Sequence, residues 1–185
     1  MLDTDYPRDL VMTGAIFGGA AFVWAGWAQE NPPASWVWRV VLGVLGLAGL
    51  VLAALSIPVA VRNWATPTAL AAGTPSFLVY VIVFWIEVVA CVGLSIWAVR
   101  SGRSDLIAPL ILLVVGIHFV PLAFVFAQPI MAITGAVLAI VAIVVALVPT
   151  GSIARSFWCG VLAAPLLLAV GAWSTVIGLA AFRDG

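Results

Sequence analysis

The sequence predicts an all-α integral membrane protein: six transmembrane helices, running up and down as an antiparallel bundle with short turns. Three observations predict it. Hydrophobic residues make up 65% of the 185 and charged residues 8%, with mean hydropathy +1.29. Soluble domains carry about half apolar and about a quarter charged residues, so a water-soluble core is excluded. The apolar runs recur at the length of about 20 residues that a hydrocarbon core about 30 Å thick demands. Proline, glycine and most of the charges collect between those runs, where chain reversals belong.

Span 1 is read over residues 10–28. The preceding segment carries Asp3, Asp5 and Asp9 against Arg8 alone, the wrong sign for a signal peptide, so it is expected to be a retained helix. Gly14 and Gly18, with Ala21 and Ala25 beyond, form a small-residue face that lets another helix approach. Pro32 and Pro33 turn the chain into span 2, residues 36–61. There Gly43, Gly46 and Gly49 make a ridge of nearly bare backbone. Trp24, Trp27, Trp36 and Trp38 cluster at this one boundary, as interfacial aromatic rings do. The longest loop follows, residues 62–76.

Span 3 covers residues 77–99 and holds Glu87. A polar turn around Gly102 leads to span 4, residues 105–126, with Ser104 or Asp105 placed to cap it. Span 5 covers 130–148 after Gln128-Pro129, and span 6 covers 156–182 after Pro149-Thr150-Gly151. Pro121 and Pro165 each remove a helical N–H, so bends are expected over residues 117–121 and 161–165. Arg8, Arg62 and Arg183 fall on the side of the termini, and Arg39, Arg100, Arg103 and Arg155 on the opposite side. Three against four leaves the orientation open.

Two polar residues depart from this pattern: Glu87, and His118, the only histidine. Spans 3 and 4 must be antiparallel neighbours because the turn between them is short. At 1.5 Å per residue both side chains lie roughly 23 Å from Gly102, level with each other. An ionised carboxylate alone at that depth costs several kcal/mol, so Glu87 calls for a partner, a proton or water. Their faces agree if Tyr80, Phe84, Glu87 and Cys91 line span 3 and Val114, His118, Pro121 and Leu122 line span 4. Pro121 also leaves the Ile117 carbonyl without its helical donor. The candidate ligand or proton site is therefore Glu87, His118, Ile117, Pro121, Cys91 and Tyr80. A structural reading stands beside it, in which the pair only ties two helices at about 0.6 kcal/mol. No catalytic residue is assigned.

Cys91 and Cys159 come out at similar depth. Glu87, Cys91, His118 and Cys159 would then form a four-ligand zinc or copper set, or the two cysteines a disulfide. The competing expectation is that each is a small hydrophobe, with no metal bound. No cofactor is expected: one histidine excludes bis-histidine haem, and the absence of lysine excludes Schiff-base chemistry. Trp85 and Trp173 lie deep in their spans, facing lipid or lining a cavity.

The segment Gly116-Ile117-His118-Phe119-Val120-Pro121-Leu122-Ala123, followed by Gln128-Pro129 and Thr134-Gly135-Ala136, resembles a G-x-H-F-x-P-L-A…P…T-G-A pattern. It is similar to that of a family of small polytopic bacterial membrane proteins with no assigned activity. The likeness spans residues 115–140 and implies only that His118 and Pro121 matter. A fainter resemblance, over residues 31–38, is to Trp-rich sensors of the translocator-protein type, which have five spans.

The functional expectation is small-ligand binding or proton-coupled transport through a buried Glu–His pair. Histidine's ordinary pKa of about 6.5 lets such a pair switch near neutral pH. The alternative is a structural or accessory subunit docking partner helices through its small-residue faces, with an enzyme third. The partners expected are the lipid bilayer and a second copy or partner membrane helices, with no nucleic acid. The location expected is the bacterial inner (plasma) membrane, multi-pass.

Overall fold

The computed structural model describes residues 3–184. Its helices are α1 (Pro7–Trp27), α2 (Trp36–Arg62), α3 (Pro75–Arg100), α4 (Ile107–Val125), α5 (Pro129–Leu147) and α6 (Arg155–Asp184). No strand occurs among the described residues. All six helices are long and apolar enough to cross a membrane. The chain is thus the all-α bundle its composition demands, compatible with a multi-pass membrane protein.

Local chemistry sets the boundaries. Proline opens α1, α3 and α5, where its missing N–H would have had no helical partner anyway. The Ser35 and Thr74 hydroxyls cap α2 and α3 by accepting from the Val37 and Phe77 N–H groups. Gly102 ends α3 at φ 68°, a left-handed conformation that costs glycine little, and Arg103 N–H closes back on the Ala98 carbonyl at 2.8 Å. Neither Ser104 nor Asp105 caps α4. A short 3-10 turn, Ser104–Leu106, intervenes, and Asp105 pairs instead with Arg155 at the start of α6. The helices continue through Pro121 and Pro165, so each proline deletes a hydrogen bond without ending its helix.

In space the helices run α3, α4, α5, α6, α1, α2, with α6 also touching α2 and α4. The bundle closes on itself where Phe17 of α1 stacks on Phe119 of α4, ring centroids 5.2 Å apart. The least apolar spans, α1 and α6, are the most buried, whereas α3 buries only Ala98. Lipid accounts for the inversion: a helix facing hydrocarbon must be apolar all round, and a central one is free to carry hydroxyls.

Small residues set the closest approaches. Gly18 meets the backbone of Gly49, and a methyl on Gly49 would lie 2.5 Å from the Gly18 carbonyl. Gly14 faces the other way, beneath Thr175 of α6. Of the α2 ridge, Gly46 and Gly49 turn inward to α1 and Gly43 faces out.

Hydrogen bonds lock both ends of the bundle. On the face carrying the termini, the Asp9 carboxylate accepts from the Thr68 hydroxyl and the Ala69 N–H. Gln128 exchanges two bonds with the Asp3 backbone. On the opposite face the Asn31 side chain donates to the Ser152 carbonyl at 2.6 Å, and Ser156 donates to Glu30 at 2.6 Å.

Candidate functional site

The tight turn at Gly102 holds α3 and α4 antiparallel and in register. Ala98 and Ala108, near the turn, are both buried; Tyr80 meets Phe126, farther out, edge to face at 6.4 Å. Between these contacts, the same register brings Glu87 to His118. The imidazole Nδ1 lies 3.1 Å from the carboxylate Oε2, with side chains 10% and 21% exposed. Glu87 is twelve residues into a 26-residue helix, about 18 Å from either end. It therefore lies near the middle of its span.

The contact has ion-pair distance without hydrogen-bond alignment, and Nδ1 has no hydrogen-bond partner. A buried ring nitrogen left without a partner costs about 1–3 kcal/mol. A proton between the two groups, or a small rotation of either, would relieve that cost. Besides His118, the titratable side chains on these two helices are Tyr80, Glu87, Cys91 and, at the end, Arg100. The pair is thus isolated from competing charge.

The remaining predicted positions divide. Cys91 lies one turn beyond Glu87 and is partly buried, a free thiol. Tyr80 lies two turns before Glu87 and packs against the core with Val83. Phe84 does not share that face: it is 42% exposed and packs edge-on against Trp85. Val83 occupies the place expected for it. Ile117 turns its side chain outward, 58% exposed, so only the carbonyl that Pro121 leaves without a donor could serve the site. Trp85 and Trp173 are exposed; Trp85 borders an open apolar groove on the outer face of α3 with Ile82, Ile86 and Val89.

The four-ligand metal set is not formed. Among the described residues no group of three His, Cys, Asp or Glu side chains could hold a metal ion. Cys159 is fully buried in the central core with Trp24, Ala163 and Leu167, while α3 packs at the edge of the bundle on α4. Equal depth did not imply lateral adjacency. Both cysteines are free, which also removes the disulfide.

The sequence reading missed a second polar locus. Tyr6, Asp9, Leu10, Thr13, Phe126 and Gln128 line a cavity of about 10 Å³, close to the smallest volume that holds one water. Each polar member sits near a span end and looks ordinary alone. Only the meeting of the α1 start with the α4–α5 turn assembles them.

No family model, no curated protein and no solved structure matches the chain.

Proposed function

We propose that this is a bacterial inner-membrane protein that binds or transports a small, largely apolar ligand, with a proton carried by the Glu87–His118 pair. The observation that supports it is the 3.1 Å approach of a carboxylate and an imidazole near mid-span, where ionisable residues are costly and mark ion or substrate pathways. The pair can hold its proton in more than one way. With one proton it is a neutral acid beside a neutral ring, or an ion pair; with two it carries net charge in a medium that opposes charge. Ligand binding that changes the hydration around α3 and α4 would shift the balance and so take up or release a proton.

The accessory-subunit reading relies on outward small-residue faces. Gly46 and Gly49 are already spent against α1, so the proton reading has the better support. Infrared difference spectra of the protein in lipid nanodiscs test it. A protonated-carboxyl band that responds to pH, absent in Glu87→Gln, is the expected result. A spectrum unchanged by that substitution would overturn the proposal.

A further inference from the structure

We infer that water and protons reach the Glu87–His118 pair from one face only, the face carrying the termini, through the cavity at Asp9 and Gln128 and past the Tyr80–Phe126 contact. The inference rests on the proton reading above and assigns its route. Phe126 links the two loci, because it lines the polar cavity and also touches Tyr80. Tyr80 shares the inner face of α3 with Glu87, seven residues away, about 10 Å. It carries the only hydroxyl between Phe77 and Glu87 on α3, and α4 has none from Phe119 to Phe126.

The opposite approach is sealed. Toward Gly102 the two helices end in Ala98 of α3 and Ala108 of α4, both buried to 3% or less. The one hydroxyl there, Ser95, is committed to the Cys91 carbonyl at 2.7 Å. The inner face of α3 is only partly covered on both sides of Glu87, at Tyr80 and Val83 and at Cys91, Leu94 and Ser95, so the closure toward Gly102 is the one at Ala98 and Ala108. A small displacement of the Phe126 ring would join the cavity to the Tyr80 hydroxyl. The aromatic pair is therefore the gate and the cavity its vestibule.

Cysteine accessibility in lipid nanodiscs, which expose both faces, tests the route. In a Cys91→Ala, Cys159→Ala background, a charged, membrane-impermeant thiosulfonate reagent is applied to single-cysteine variants. Tyr80→Cys and Val83→Cys should react several-fold faster than their lipid-facing neighbours Val79→Cys and Ile82→Cys at matching depth. Leu94→Cys and Ala98→Cys should stay unreactive. With the native Cys91 restored, Phe126→Ala should speed its labelling. Equal rates at inner and lipid-facing positions would show depth alone at work and overturn the route, as would faster labelling at Leu94→Cys. The labelling reads water whether or not Glu87 titrates. Labelled inner positions with no titrating carboxyl band would sink the proton reading and keep the route; a titrating band with the inner positions silent would sink the route alone.

Discussion

Gly116 of α4 and Gly135 of α5 meet backbone to backbone: a methyl placed on Gly116 would lie 2.7 Å from the Gly135 carbonyl oxygen and 2.8 Å from the Ala139 nitrogen. Neither atom can yield without moving a helix. Gly116→Ala and Gly135→Ala should each lower stability by about 1–3 kcal/mol, the usual cost of overpacking. Gly93→Ala is the control, since nothing lies within 4 Å of its missing methyl; it should be neutral or stabilising by up to about 1 kcal/mol. Melting curves in one detergent would rank the three. A Gly116→Ala protein as stable as Gly93→Ala would mean that α4 and α5 do not pack this closely.

The Glu87–His118 contact separates function from support in a double-variant cycle. If the pair works, Glu87→Gln keeps the fold and removes the pH dependence of melting and of ligand response, and His118→Asn does the same. Gln keeps the volume and hydrogen-bonding capacity of Glu without the titrating proton. If the pair only ties α3 to α4, both single variants melt lower and the double recovers part of the loss, because one orphaned buried group costs more than a matched amide pair. The expected result is the first pattern, read from melting curves between about pH 5 and 8. Recovery in the double variant would contradict it.

The legibility of this site follows from what a helical hairpin transmits. Six apolar runs separated by proline and glycine define the spans, and the Gly102 turn alone sets which residues of α3 and α4 share a depth. Glu87 and His118 could therefore be matched on the chain. Depth is one coordinate of three, however. Cys159 lies level with Cys91 by counting, yet α6 is the centre of the bundle and α3 its edge. Helix order around the axis depends on which small residues meet: Gly160 beneath Trp24 and Gly178 beneath Pro7 bring α6 to α1, a pairing invisible in either helix alone. Rotational phase is equally soft. Val83 and Phe84 differ by about 100° on a helix, and in an all-apolar span nothing in the pattern chooses between them.

The Ser56–Thr175 hydrogen bond, 3.1 Å, joins α2 to α6 where both side chains are buried. Thr175 also donates to the Gly171 carbonyl within its own helix at 3.0 Å. Thr175→Val keeps the shape that fits over Gly14 and deletes the polar contact. The expected loss is about 0.6 kcal/mol and no more than about 2, the range for hydrogen bonds between membrane helices. Thr175→Leu should cost more, because its extra bulk meets the Gly14 backbone. Unfolding titrations that place the valine variant below the leucine variant would contradict this account of the α1–α2–α6 junction.

Asp9 latches the long loop between α2 and α3 onto the start of α1. Its carboxylate accepts from the Thr68 hydroxyl at 2.9 Å and the Ala69 N–H at 2.8 Å. Beside it, Arg8 donates to the Trp64 carbonyl at 2.6 Å and lies over the Trp64 ring, 4.9 Å from its centroid. α3 has little packing beyond α4, so this loop is its other tether to the body. Asp9→Ala removes both loop bonds together with the 3.3 Å ion pair to Arg8, and leaves the Ala69 N–H without its carboxylate partner. Each charge-assisted bond contributes about 1.5–3 kcal/mol, yet the loop is partly wet, so the effect should be local. Hydrogen exchange and proteolysis across residues 63–74 should rise several-fold in Asp9→Ala while the melting temperature falls only slightly. Asp9→Asn, which keeps one acceptor oxygen, should lie between. Unchanged exchange in that loop would show that Trp64 and the backbone hold it without Asp9.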